Sequence, residues 1–246
     1  MKPFILAAWA TAVFLCVCVA TAAQASVVVG GTRVVFPAQQ GEATVRLTNE
    51  NDHAALVEAW IDTGDLNSTP NSVSTPFLIT PPLFRMDPHK DQSLRIIYTQ
   101  GSQPLPTDRE SLFWLNVLEV PPKPSGQQAA GQNYLQFAIR SRLKLFYRPA
   151  SLPGNAMKAP EKLSFTSQGT ALVAHNPTPY YVTISKLSLG PDGKPIEGAS
   201  GMAAPFGDLR LPLKGLTQAP SAGTAVVFTV IDDYGAADDH KGTVTP

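Results

Sequence analysis

Residues Asn133–Pro149 read NYLQFAIRSRLKLFYRP, and this stretch decides the fold. Apolar and polar side chains alternate along it, the apolar ones being Leu135, Phe137, Ile139, Leu143, Leu145 and Tyr147. A period of two fits an extended strand and does not fit a helix. Pro149 ends the strand because proline has no backbone N–H to donate. The sequence therefore predicts one strand, much longer than the usual ~5–6 residues.

A strand of this length overhangs its own sheet or lies along an edge. An uncovered edge presents unpaired backbone groups, to which another chain can add a strand. Two interpretations stay open from the pattern alone. The segment is an ordinary interior strand of a β-sandwich, or its edge is itself a binding site.

The N-terminus has the pattern of a secretory signal. Lys2 precedes an apolar run from Phe4 to Ala20, and Ala23-Gln24-Ala25 forms a small-x-small cleavage site. We expect residues 1–25 to be removed, so that the mature chain begins near Ser26. The length of the apolar run leaves an uncleaved anchor as the alternative.

The composition sets further limits. Both cysteines of the chain, Cys16 and Cys18, lie inside the signal, so the mature protein must be held together by core packing without disulfides. Lys and Arg together number 19, as do Asp and Glu. This balance predicts no general attraction to nucleic acid or to an anionic membrane surface.

The remaining pattern predicts short strands separated by frequent turns, hence an all-β fold. Ala43–Asn49 and Leu56–Asp62 flank a turn-prone segment and are predicted to form a hairpin. Pro81-Pro82 demands an edge, a bend or a cis bond. A change of composition after Pro149 predicts two domains, residues 26–148 and residues 149–246, each the size of an immunoglobulin-like sandwich.

No motif for catalysis or metal binding is found in the sequence. The four histidines are scattered and no cysteine assists them, so we expect no metal site and no cofactor. A hydrolase would require a histidine such as His175, or the acidic Asp232-Asp233 and Asp238-Asp239, in a pocket. A carbohydrate-binding sandwich is the other alternative, with stacking aromatics that would be Trp60, Trp114, Tyr180 and Tyr181.

Several segments together resemble one known family. They are Thr32–Phe36, Asn49–Asn51, Ala59–Ile61, Thr80–Arg85, Asp108–Trp114 (DRESLFW), Lys144–Pro149 (KLFYRP), Asn176–Tyr181 (NPTPYY) and Asp232–Gly235. In this order they resemble the PapD-like periplasmic pilus chaperones of the chaperone–usher pathway. The resemblance spans nearly all of the mature chain.

The resemblance implies two immunoglobulin-like sandwiches in a boomerang arrangement. A chaperone of this kind is no enzyme. It lies in the periplasm, lends a strand to an incomplete pilin, one to one, and delivers the pilin to an outer-membrane usher, without nucleic acid, membrane insertion or cofactor. The implied donor residues are Leu135, Phe137 and Ile139, the implied pilin carboxylate site is Arg33 and Lys144, and the implied inter-domain ion pairs join Glu110, Arg148 and Asp233.

Two local expectations follow. Lys144 has the opposite parity to Phe137 and Ile139, so a regular strand places it on the other face. Strong twist or a bulge near Ser141 is therefore expected to bring them together. The tail after Gly235 is short, which predicts that the last strand of the second domain is missing or abbreviated.

Overall fold

The structure is a computed structural model that describes residues 27–100, 104–123, 133, 135–190 and 193–246. The predicted signal sequence and most of the predicted loop before residue 133 lie outside these residues. The strands of the first domain are β1 (Val27–Val29), β2 (Arg33–Pro37), β3 (Glu42–Asn49), β4 (Ala55–Asp62), β5 (Phe77–Thr80), β6 (Leu83–Met86), β7 (Asp91–Tyr98), β8 (Ser111–Val120) and β9 (Ile139–Arg148).

The strands of the second domain are β10 (Ser164–Gln168), β11 (Ala171–Asn176), β12 (Val182–Leu189), β13 (Gly201–Ala203), β14 (Gly207–Pro212), β15 (Ala225–Ile231) and β16 (Ala237–Thr245). Short 3-10 segments at Ala38–Gln40, Pro70–Ser72 and Ala156–Lys162 accompany them. In the described ranges no helix has the length and apolar character needed to span a membrane. The all-β prediction is confirmed.

Two sheets enclose the core of the first domain. One has the order β1-β3-β7-β5 and the other the order β2-β9-β8-β4-β6. The chain changes sheet at Gly30-Gly31, where the Gly30 amide donates to the Arg46 carbonyl at 2.8 Å, and again at the cis bond between Thr80 and Pro81. The second break stands at Pro81-Pro82, where the sequence predicted an edge, a bend or a cis bond.

The predicted hairpin of β3 and β4 is wrong. β3 pairs with β1 and β7, whereas β4 pairs with β6 and β8 in the opposite sheet. The buried side chains of Leu47 and Val57 therefore face one core from two sides. A turn sequence predicts that the chain reverses, but it does not distinguish a return within one sheet from a crossing to the other sheet.

The second domain is one continuous sheet folded around its own core, in the order β13-β12-β15-β16-β10-β11-β14. β16 pairs antiparallel with β15 over its first seven residues and ends parallel to β10. The predicted absence or abbreviation of this strand is wrong. The sequence hid it because, of its nine residues, only Val244 is buried, so that no apolar period marks it.

β9 is shorter than predicted. It begins at Ile139, opposite Glu119 of β8, and residues 135–138 form no strand because the ladder with β8 ends there. On its other side β9 pairs with β2 only from Lys144 to Arg148. Among the described strands, Ile139–Leu143 therefore has a neighbour on one side alone. The second half of β9 is thus an interior strand of its sheet, whereas the first half lies at an edge among the described strands.

The register of β9 is regular throughout. Its pairs with β8 run without a shift from Ser111 opposite Tyr147 to Glu119 opposite Ile139. Leu143, Leu145 and Tyr147 enter the core, so that the even-numbered residues lie on the opposite face. The expected bulge near Ser141 is absent from this pairing, and Lys144 and Ile139 lie on different faces.

Candidate functional site

Two cations stand side by side where the domains meet. Arg33 and Lys144 are direct neighbours in the parallel ladder of β2 and β9. The Arg33 guanidinium donates to the Ile231 carbonyl at 2.6 Å, and the Lys144 Nζ donates to the Thr183 hydroxyl at 3.2 Å. Both acceptors belong to the second domain. The two predicted cations are thus brought together at the junction.

This cation pair is only partly satisfied. Burial lowers the pKa of Arg33, against the opposing effect of Asp233 and Asp232. Burial also lowers the pKa of Lys144, and the neighbouring Arg33 charge lowers it further. Within the described residues, neither cation forms a salt bridge and the buried Arg33 Nε has no hydrogen-bond partner. An anion placed here would relieve both deficits.

The three residues predicted to join the domains are in contact. The Arg148 Nε donates to Glu110 at 2.6 Å, and its two terminal nitrogens donate to Asp233 at 2.7 and 2.9 Å. The other Glu110 oxygen accepts from the Tyr181 amide at 2.7 Å. The Glu110 amide itself donates to the Pro179 carbonyl at 2.9 Å. Arg148 and Glu110 thus bind two separate segments of the second domain.

Burial has opposite consequences for the two partners. It raises the pKa of the Glu110 carboxyl above its ordinary value, although Arg148 and the Tyr181 amide act the other way. For Arg148, burial acts to lower the pKa, but the hydrogen bonds and charges of Asp233 and Glu110 outweigh it and raise the pKa. A small cavity of about 30 Å³ adjoins the group, with Arg33 also in its lining. The ion pairs and the cation pair therefore share one junction.

A row of apolar side chains extends from β9 into solvent. Leu135, Phe137 and Ile139 are 77%, 66% and 51% exposed. Ile139 opens β9, and the other two precede it. Their parity matches that of Leu143 and the core residues beyond it. Of the three, Ile139 lies in β9 on the same face as Leu143, whereas Leu135 and Phe137 lie beyond the end of the ladder and form no strand.

Other sequence candidates are placed apart from this junction or within the protein. Trp60 and Tyr180 are buried, and Trp114 is covered by the Arg142 guanidinium, 4.3 Å from its ring centre. The four aromatics therefore form no exposed sugar platform. His175 lies 2.6 Å from Asp208, but both side chains are more than half exposed on neighbouring strands.

The remaining acidic candidates serve the fold, and some contacts had no signal in the sequence. Asp232 accepts from the backbone amides of Tyr234 and Ala236 and so shapes a turn. In the ranges given above, no His, Cys, Asp or Glu group has the arrangement of a metal site. Thr183, the partner of Lys144, was not predicted from the sequence, because a threonine near the start of a strand belongs to no recognisable motif.

Family models cover both domains of the chain. A description reading pili and flagellar-assembly chaperone, PapD N-terminal domain, matches residues 26–153, and the PapD C-terminal domain matches residues 158–242. The chain belongs to the PapD family of pilus-assembly chaperones. The predicted family and the pair of immunoglobulin-like domains are thereby confirmed.

Relatives agree with this membership. The chain is 44% identical over 228 residues to the chaperone protein FimB/FhaD of Bordetella pertussis, covering 92% of this chain and 91% of the relative. The YadV chaperone, a probable fimbrial chaperone of Escherichia coli, superposes with a TM-score of 0.75 at 39% identity, covering 89% of this chain and all of that one. The Salmonella enterica chaperone SafB, solved with the SafA pilin, superposes with a TM-score of 0.75 at 31% identity, covering 90% and 96%.

Proposed function

We propose that this PapD-family chain is a periplasmic chaperone that captures unfinished pilin subunits by donor-strand complementation and delivers them to an outer-membrane usher. One observation carries the proposal: among the described strands, β9 has neighbours on both sides in its second half and on one side in its first. Such an edge adds a foreign strand through backbone hydrogen bonds. The exposed row Leu135, Phe137 and Ile139 supplies side chains for the pilin groove.

The cation pair supplies the end point of the docked strand. A pilin that lies along the edge of β9 would bring its terminal carboxylate to Arg33 and Lys144, neither of which forms a salt bridge in the described part of the chain. A charge-assisted contact at one end fixes the register of every pair that follows. Because the described residues provide one half-paired stretch of β9 with one adjoining cation pair, the proposed complex contains one pilin per chaperone.

The ion pairs at the junction hold the second domain in place. We propose that Glu110, Arg148 and Asp233 fix its orientation relative to β9, and that the domain boundary follows residue 148. The structure of SafB with a pilin supports the class of partner. The N-terminal signal pattern supports export to the periplasm, where no membrane insertion of the mature chain is needed.

The decisive experiment replaces one groove residue by a charge. Phe137→Asp is expected to leave the isolated protein folded and to abolish co-purification of a pilin co-expressed from the same source, because an unpaired charge would enter an apolar groove. Phe206→Asp is the matched control, since Phe206 is 46% exposed on the second domain. An unchanged pilin yield with Phe137→Asp would contradict the donor-strand assignment.

A further inference from the structure

A buried carboxylate ties four segments together behind the half-paired part of β9. The side chain of Asp62, at the end of β4, is 1% exposed. It accepts hydrogen bonds from Arg142 at 2.6 Å, from Asn116 at 2.8 Å and from Ser68 at 2.8 Å. The Gly64 amide adds a fourth at 2.7 Å. These donors come from β9, β8 and the loop that follows β4.

The two arginines of this half of β9 are held on several sides. The Arg142 guanidinium lies 4.3 Å from the ring centre of Trp114, and that of Arg140 lies 4.8 Å from the ring centre of Trp60. Arg140 also donates to the Asn116 side chain at 2.7 and 2.9 Å. With side chains 25% and 16% exposed, Arg140 and Arg142 are components of the fold and not solvated surface cations.

Arg140 reaches further, into the loop after β4. It donates to the Leu66 carbonyl at 2.8 Å and to the Ser68 hydroxyl at 3.0 Å, while Ser68 in turn accepts from the Trp60 indole at 3.1 Å. The Arg140 side chain therefore connects this loop to β9 and also connects β9 to β8. We call Asp62, Arg140 and Arg142, with these partners, the Asp62 network.

The position of the network matters because of what β9 lacks there. Residues 139–143 have one ladder, with β8, and no described strand on their other side. A singly paired strand end opens more readily than a strand paired on both sides. Arg140 and Arg142 project from the face opposite Ile139 and Leu143. The network can therefore hold this half of β9 without covering its open edge or its apolar row.

We propose that Asp62, Arg140 and Arg142 are positioning residues that keep Ile139–Leu143 extended before a partner arrives. This inference rests on the proposed function for its purpose, but the rigidity it describes belongs to the free protein. A partner strand that meets a preformed edge does not spend binding free energy on ordering it. The network thus acts on binding with no contact to the partner.

Hydrogen exchange of the free protein tests the positioning role directly. In Asp62→Asn, amides of residues 139–143 that bond to β8 are expected to exchange at least about tenfold faster, a change of ~1.4 kcal/mol, relative to amides of residues 144–148. Val57→Ala, in the core of the same sheet, is the control: it lowers overall stability and should speed both groups alike. Equal acceleration of both groups in Asp62→Asn would overturn the inference.

Two further measurements separate positioning from simple stability. Arg142→Met should reproduce the selective exchange, and Arg142→Lys, which keeps the cation, should restore part of the protection. The rate of capture of a denatured pilin diluted into the chaperone should then fall in step with the lost protection. Selective exchange with an unchanged capture rate would overturn the link to docking. Failure of the parent protein to capture any pilin would instead contradict the proposed function and leave the exchange result to stand alone.

Discussion

Two turns, one in each domain, are built in the same way around a buried asparagine. In the first domain Asn49 ends β3 and is fully buried. Its side-chain oxygen accepts from the Asn51 amide and from the Asn51 side chain, both at 3.1 Å. Its side-chain nitrogen donates to the His53 carbonyl at 3.0 Å and to the Met86 carbonyl at 3.2 Å. One side chain thus replaces the backbone pairing that the chain loses as it leaves the sheet.

In the second domain Asn176 ends β11 and is also fully buried. Its oxygen accepts from the Thr178 amide at 3.0 Å and from the Thr178 hydroxyl at 2.7 Å. Its nitrogen donates to the Tyr180 carbonyl at 2.7 Å and to the Ala204 carbonyl at 3.0 Å. The partners stand two and four residues after the asparagine, as they do in the first domain. The sequence has no clear internal repeat, yet the two domains share this device.

Each turn is also bound by a buried glutamate at one end of β8. The two glutamates differ in what else they bind. Glu119 accepts from the Asn51 side chain at 3.2 Å and from the Val27 amide at 2.8 Å, so it ties the first turn to β1 of its own domain. The Glu110 carboxylate accepts from the Tyr181 amide and the Glu110 backbone amide donates to the Pro179 carbonyl, so this residue ties the second turn to the other domain. The same local structure therefore serves folding in one place and assembly of the junction in the other.

Removal of the asparagines should have the largest effect. Asn49→Ala and Asn176→Ala each leave several buried backbone groups without a partner, at an expected cost of ~3–5 kcal/mol in the stability of the domain that contains the change. Hydrogen exchange resolved by domain is the measurement. If either variant loosened both domains equally, the two turns would not be independent units and the comparison would fail.

The next effect concerns the two cations at the domain junction, Arg33 and Lys144. Lys144→Ala and Arg33→Ala should leave both domains folded and weaken pilin binding by ~2–4 kcal/mol, since one partner of a desolvated charge contact is lost. Lys186→Ala, a lysine of β12 elsewhere in the second domain, serves as the control. Titration calorimetry with a purified pilin measures the loss.

A modified pilin identifies the contact. Amidation of the pilin C-terminus should weaken binding to the parent by a similar amount and add little in Lys144→Ala, because both changes remove one shared contact. Additive losses would show that Lys144 and the pilin carboxylate act separately, and the anchor role would have to be abandoned.

Substitution of the two glutamates should distinguish the roles of the two turns. Glu110→Gln and Glu119→Gln each remove a buried charge that accepts two hydrogen bonds, and each should cost ~1–3 kcal/mol. The consequences differ in kind. Glu110→Gln should broaden the distribution of domain orientations seen by solution scattering, whereas Glu119→Gln should release β1 and speed exchange at Val27–Val29. The reverse pattern would contradict the assignment of one glutamate to each purpose.

The smallest expected effect is a pH dependence at the junction. Burial and the Arg33 charge lower the pKa of Lys144, so its charged form is present below that folded-state pKa and is lost as the pH rises through it. Pilin affinity should therefore decline at a lower alkaline pH than the titration of an exposed lysine would give. Lys144→Arg should remove this decline, because arginine stays charged. An identical profile in both proteins would assign the titration to another group.

Local pattern was sufficient for much of the fold. The pattern predicted strands at β3, at β4 and in the second half of β9, and Pro81-Pro82 predicted one of the places where the chain changes sheet. Pattern failed where the deciding contact is remote. Asp62 and Arg142 are 80 positions apart in the sequence, and no local pattern at either residue predicts contact with the other. The extent of β9 was overestimated for the same reason, because alternation continues to Leu135 while the ladder that would pair it ends opposite Glu119.

The candidate site was predicted through resemblance more than through pattern. Parity alone separates Lys144 from Ile139, and the regular register of β9 retains that separation. Under the proposed function both residues serve one docked strand, because the ladder with β2 stops at Arg33 and leaves residues 139–143 of β9 without a second neighbour among the described strands. No property of the single segment could reveal where its neighbour ends.

The half-paired strand also sets a fixed distance between the cation pair and the apolar row. Under the proposed function, Lys144 fixes the position of one end of the docked strand, and the side chains of the apolar row follow at fixed distances from it. Ile139 stands five residues from the anchor, about 17 Å along an extended chain. An insertion of two residues in this interval would move every side chain of the row by one repeat and keep it on the same face. An insertion of one residue would move the whole row to the other face. Under the proposed function, the spacing between Lys144 and the apolar row therefore determines which pilins can dock in register.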